Sequence, residues 1–205
     1  MKDRQSFSDK LARAVIRYTS PAILGVLVLL LIAMTKSSGL SSIVVSEAVL
    51  LLSFVILPLV YIYLRTAGFK NGGRLFSDPT LYLRNHPKDI LVLGLLFGLP
   101  CLGILAYFGA PSALIATLTA LLGISLIVAL FNLVYRVSYH LAAVTAILIS
   151  AVLTWGSVFL VLFAAVPVVG WAKYRAHEHT FTQIIVATIL STVATLIVFY
   201  YFGLL

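Results

Sequence analysis

The chain has 205 residues, of which 62% are hydrophobic and only 10% charged, and its mean hydropathy is +1.14. A soluble globule needs more polar surface than this, so the composition excludes a water-soluble enzyme or carrier and implies lipid as the solvent. The net charge of +8 does not point to nucleic acid, because the basic residues are spread through short loops between apolar runs, where they read as a topology signal.

Residues 1–17 are charged, and Phe7, Leu11, Val15 and Tyr18 recur at four- and three-residue spacing. This segment reads either as a short amphipathic helix on the membrane surface or as a solvated basic tail. Residues 18–205 read as one transmembrane helical domain, with apolar runs at roughly 18–35, 43–65, 89–109, 112–135 and 180–203. The first run lacks a small-residue cleavage site and is expected to be a retained span. Residues 137–172 form a longer stretch that as one helix would measure about 54 Å, far more than the hydrocarbon needs. Thr154, Trp155 and Gly156 in its middle predict a turn between two spans. The expected fold class is all-α, a polytopic membrane helical bundle of about six to seven transmembrane helices. The single cysteine, Cys101, lies in an apolar run and reads as packing, while Pro58, Pro100 and Pro167 are candidate helix breaks. Gly94, Gly98 and Gly103 would permit close helix packing within the chain or between copies, which leaves a homodimer open.

With seven spans, the N-terminus and the connections at 66–88, 135–140 and 173–179 share one side of the bilayer. With Arg65 at the adjoining end of the second span, that side carries every Lys and Arg except Lys36, and all four histidines, His86, His140, His177 and His179. The positive-inside rule makes that side cytoplasmic, in the plasma membrane of a prokaryote. Glu47 and Asp89 lie near span ends and the spans are otherwise almost free of ionisable groups, which argues against an ion-coupled transporter.

Three segments carry candidate chemistry. The 69–88 connection holds Asp78, Arg84 and His86 among basic neighbours. At the start of the next corner, Arg136, Ser138 and His140 can converge on a helix N-terminus, an arrangement that suits a phosphate. In the third segment Lys173, Arg175, His177, Glu178 and His179 precede a span, with Gln183 one helical turn after His179 and placed to fix its tautomer. Read as helical, His177, Glu178 and His179 point to different faces, so no metal and no cofactor is expected. Neither a Gly-rich phosphate loop nor a His-Glu-x-x-His pattern occurs.

These residues resemble, over about 112–205, the type 2 phosphatidic acid phosphatase superfamily, the lipid phosphatases related to vanadium haloperoxidases. That family opens one span with Pro-Ser-Gly-His, where this chain has Val137, Ser138, Tyr139 and His140. It places Ser-Arg, five residues, His, three residues, Asp at the next corner, where this chain has Ala172, Lys173, His179 and Gln183. The chain is therefore a degenerate member of the pattern. The resemblance implies a phosphohistidine mechanism on a polyprenyl or glycerolipid phosphate, with His179 as nucleophile and His140 as general acid. Arg136 and Lys173 would clamp the phosphoryl oxygens, with Ser138, Arg84 and Arg175 as further phosphate ligands, Gln183 orienting His179, and Asp78 and His86 as accessory groups. The expected partners are the bilayer and a lipid phosphate. A non-catalytic relative that binds anionic head groups or scaffolds a membrane complex is the other reading.

Overall fold

The computed structural model describes residues 7–67, 89 and 92–205. Among these residues all regular structure is helical. Helix α1 (Phe7–Tyr18) is amphipathic and leads through Ser20 into α2 (Pro21–Lys36), with a bend of 42° between them. Pro21 stands in the first turn of α2, where its missing N–H has no partner to lose.

Helices α3 (Leu40–Leu51) and α4 (Leu57–Ala67) are joined by a π-helical turn, Leu52–Ile56, into one apolar rod. A second π turn, Gly94–Gly98, runs into α5 (Leu99–Tyr107). Each π turn ends two residues before a proline, Pro58 or Pro100, and contains the residue four positions before it. A proline ring collides with that residue's carbonyl in a regular α-helix, and winding one turn wider removes the collision. The prolines expected to break helices are thus absorbed without a break. Pro167 falls in the first turn of its helix and is absorbed there.

Helix α6 (Ser112–Phe131) is followed by a corner, then by α7 (Tyr139–Trp155). Ser138 caps α7, its Oγ accepting the Leu141 N–H at 3.4 Å. Helix α7 is apolar on every side and is buried without interruption from Leu141 to Ala151, packed among α2, α6 and α9. The run expected to turn near Trp155 does so at Gly156, whose φ of 97° suits glycine alone among common residues. Trp155 Nε1 donates to Thr35 Oγ1 at 3.0 Å, tying this turn to the end of α2. A 3₁₀ stretch, Ser157–Ala164, leads into α8 (Ala165–Arg175), and α9 (Phe181–Tyr201) completes the bundle. Ser191 Oγ on α9 donates to the Ala142 carbonyl of α7 at 2.6 Å inside the core.

Among the described residues, four helical segments are long and apolar enough to cross a membrane: Leu40–Arg65, Ser112–Phe131, Ser157–Arg175 and Phe181–Tyr201. The bent pair Phe7–Tyr18 and Pro21–Lys36 makes a fifth if it counts as one span, and Gly94–Tyr107 and Tyr139–Trp155 are shorter apolar helices. This architecture is compatible with an integral membrane protein. Cys101 is fully buried among Leu29, Ile32, Leu105 and Leu114. A Cβ on Gly98 would come within 2.5 Å of Leu122 Cδ2, and one on Gly94 within 3.7 Å, so these two glycines let the second π turn pack on α6 inside the chain. Gly103 faces no atom within 4 Å of a built Cβ.

Three helices end in the same hydrogen-bonded loop, with one residue of positive φ. Gly109 (φ 67°) and Gly203 (φ 65°) fill that position after α5 and α9, but His177 (φ 55°) fills it after α8. His177 N–H donates to the Tyr174 carbonyl at 3.0 Å and Glu178 N–H to the Lys173 carbonyl at 3.2 Å. A left-handed conformation costs a residue with a Cβ roughly 1–2 kcal/mol. His177→Gly is therefore expected to stabilise the protein by about 0.5–1 kcal/mol, after the glycine's greater unfolded-state freedom is subtracted. Thermal melts in detergent check this, and a loss of stability would show that the imidazole itself supports the fold.

Candidate functional site

The two corners named from the sequence come together at one end of the bundle because α7 and α8 are joined by a tight turn and α9 returns beside both. At the first corner Asn132 Oδ1 accepts the Val137 N–H at 2.6 Å, which folds the chain back after α6. Arg136 stands exposed on this corner, while Ser138 is fully buried and occupied as the cap of α7. Ser138 is therefore engaged as a helix cap in this arrangement. His140 lies one turn into the corner. Thr19 Oγ1 sits 3.4 Å from its Nε2, and that hydroxyl already gives its proton to the Val15 carbonyl at 2.7 Å. A hydroxyl has one proton, so the imidazole must be the donor, which places the His140 proton on Nε2.

The second corner is built by two caps. The loop that ends α8 turns at His177, and Thr180 opens α9 as its N-cap, with Gln183 completing a reciprocal capping box. Gln183 Oε1 accepts the Thr180 N–H at 3.0 Å and also lies 3.2 Å from His179 Nδ1. The backbone N–H can only donate, so the atom facing it is the amide oxygen, and His179 Nδ1 must carry the proton. The neutral His179 then presents its lone pair on Nε2. His177, Glu178 and His179 do not continue a helix, so the expectation that they alternate around one is replaced by a turn. Among the described residues no group of His, Cys, Asp and Glu is placed to hold a metal ion.

Lys173 is buried, with 7% of its surface exposed, and its Nζ donates to Glu178 Oε2 at 2.6 Å. An ammonium this deep needs a partner, and the turn at His177 brings Glu178 back to supply one. The charges of Lys173 and Glu178 act on both His140 and His179, and that of Arg136 acts on His179. Arg175 points elsewhere. Its guanidinium pairs with Asp9 at 3.2 Å and donates to Ser8 Oγ, pinning α1 against α8. Tyr135 OH donates to Thr182 Oγ1 at 3.1 Å and links the two corners at the rim. Asp78, Arg84 and His86 lie outside the described residues.

No family model, curated protein or solved structure matches this chain. The corner is therefore judged by its own chemistry: two histidines, Lys173 and Glu178 in one charged cluster, with Arg136 beside it. Sequence reading passed over Glu178 as the partner of Lys173, because the turn between them was read as helix. It also missed that Thr180 and Gln183 form a capping box, although the Thr-x-x-Gln spacing before an apolar run is its signature.

The His179 pKa is held below the ordinary histidine value, chiefly by burial. The Gln183 hydrogen bond and Glu178 push upward, and Lys173 and Arg136 add to the depression. A histidine whose folded pKa lies below its unfolded value of about 6.5 binds fewer protons when folded. Its contribution to stability is thus complete above that value and is lost as the pH falls toward the folded pKa. The thermal midpoint in detergent is expected to drop between about pH 7.5 and pH 5.5, and His179→Gln to drop less. Equal drops in the two proteins would assign the effect to other groups.

Proposed function

We propose that this chain is a divergent relative of the type 2 phosphatidic acid phosphatases, a membrane-embedded phosphatase or phosphotransferase for a polyprenyl or glycerolipid phosphate. In this reading seven spans place the histidine corner and the N-terminus on the cytoplasmic side of a prokaryotic plasma membrane, following the charge asymmetry of the loops. The observation that carries the chemistry is the His179–Gln183 contact at 3.2 Å. It holds the imidazole in the tautomer whose Nε2 lone pair can attack phosphorus, with a cation, Lys173, close by. Attack breaks the bond from phosphorus to the leaving oxygen and forms a phosphohistidine. As an imidazolium, the form that a bound phosphate anion favours, His140 gives a proton to the leaving oxygen and ends neutral, which requires its contact with Thr19 to open, and water then releases phosphate. Arg136 and Lys173 offset charge on the equatorial oxygens.

A second reading is favoured by one feature: Gln183 is an amide and cannot stabilise an imidazolium as a carboxylate does. In that reading the corner binds an anionic head group without turnover. Phosphate release by detergent-purified protein from prenyl diphosphates, phosphatidate and phosphatidylglycerophosphate separates the two. Release from at least one lipid is expected. Folded protein that binds one of them and releases nothing is a binder.

A further inference from the structure

The far end of the bundle carries a second concentration of polar groups. Beside α7, helix α2 runs from Thr19, against His140, to Thr35, against Trp155, so both helices finish on the side away from the histidines. There the ends of α2, α7 and α9 and the start of α6 enclose a cavity of about 260 Å³, whose lining includes Lys36, Pro111, Ser112, Thr154, Phe199 and Leu204. No acidic side chain lines it. Lys36 makes no ion pair among the described residues. Helix α6, 20 residues long, opens on Pro111 without a side-chain cap, so its first N–H groups meet the cavity unclaimed by any side chain. Thr154 Oγ1 is buried without a hydrogen-bond partner. The same holds for Ser37 Oγ, next to Lys36 in the chain, and for Ser150 Oγ, one turn deeper than Thr154 on the same side of α7 and fully buried. Buried hydroxyls in folded proteins are normally paired, so three unpaired ones at one end mark hydrogen-bonding capacity that the chain does not fill itself.

A cation, hydroxyls and a helix N-terminus with no carboxylate among them suit an anion. The single ammonium sets its charge: one negative charge is balanced, and a second would lie against apolar walls with nothing to offset it. The cavity is smaller than the roughly 300–1,000 Å³ of a site for a whole drug-sized molecule, so it fits a head group. A tail has its own place. Leu196, Ile197, Tyr200, Tyr201 and Leu205 line an apolar depression on the exposed side of α9, and it adjoins the cavity where Leu204, in the wall of one, is followed by Leu205, in the wall of the other. We propose that this end of the bundle holds an anionic membrane phospholipid, its singly charged phosphodiester between Lys36 and the start of α6 and an acyl chain along α9. The site is distinct from the histidine corner and does not depend on what that corner does.

A local reporter separates this site from the corner. Of the two tryptophans, Trp155 follows Thr154 at the cavity, while Trp171 lies on α8 and is 41% exposed. The full chain carrying Trp171→Phe, purified in a neutral detergent, leaves Trp155 emission as the readout. It is titrated with dihexanoyl phosphatidylglycerol, with dihexanoyl phosphatidylcholine as the zwitterionic lipid of matched tails, and with inorganic phosphate as the anion without a tail. Phosphatidylglycerol is expected to bind at least about tenfold more tightly than either of the others. Lys36→Gln should bring phosphatidylglycerol down to the affinity of phosphatidylcholine and leave the latter unchanged, and Lys36→Arg should keep the preference. Ser112→Phe, at an exposed position on the rim, should block the mouth and abolish the response to both lipids, which decides the matter if Lys36→Gln does not fold. The proposal is overturned by an unresponsive Trp155, by equal affinity for the two lipids, by a preference that survives Lys36→Gln, or by unchanged binding in Ser112→Phe. Inorganic phosphate binding as tightly as phosphatidylglycerol would overturn it too, since the ligand would then be a free anion.

Discussion

His179→Ala is expected to lower phosphate release by at least about 10³-fold, with little change in lipid binding. The alanine removes the only group placed to form the covalent intermediate in the proposed mechanism, and the remaining cations still hold the head group. Gln183→Leu is expected to fall by about 10²-fold, because the neutral imidazole then populates both tautomers and rotates. The same variant also loses the contact of Gln183 Oε1 with the Thr180 N–H, a helix cap worth about 1 kcal/mol. Gln183→Glu is the control that separates these effects: it keeps the cap, supplies a carboxylate to the imidazole, and should raise activity above wild type. Turnover in His179→Ala within about tenfold of wild type would remove the phosphohistidine mechanism.

The second large effect concerns stability. Glu178→Leu leaves the Lys173 ammonium buried beside an apolar side chain and is expected to cost about 3–5 kcal/mol. Lys173→Met removes the more deeply buried charge and leaves the Glu178 carboxylate, which is partly exposed, so it should cost less. The double variant, Lys173→Met with Glu178→Leu, should recover most of the loss, because an apolar pair of similar volume is often as stable as a buried ion pair. A double-mutant cycle from unfolding in detergent measures this coupling. Additive losses would show that the 2.6 Å contact contributes nothing beyond its separate side chains.

Several features were legible in the residues. The apolar run 137–172, too long for one helix, called for two helical segments, and the Thr154-Trp155-Gly156 cluster marked the turn between them. The four-residue step from His179 to Gln183 brings the two side chains together, although the helix begins only at Phe181 and the contact is made across its cap. Other features were not legible. Pro58 and Pro100 read as breaks, since no single-sequence rule says whether a neighbouring turn will widen to absorb the ring. Ser138 and Arg175 read as phosphate ligands because a hydroxyl or a guanidinium is equally suited to a cap, an ion pair or an anion. The choice was made by Leu141 and Asp9, the first three residues along the chain from Ser138 and the second far from Arg175 in sequence.

By itself the sequence determined the apolar composition, the helical class and the chemical inventory of the corner, because each depends on composition or on spacing along the chain. The tertiary structure decided which of those groups are already engaged. Lys173 meets Glu178 only because the chain takes a left-handed turn at His177, and His140 meets Thr19 only because α2 packs against α7. Pairings of this kind arise where separate elements dock, and burial then forces each polar group to take whichever partner the packing brings within reach.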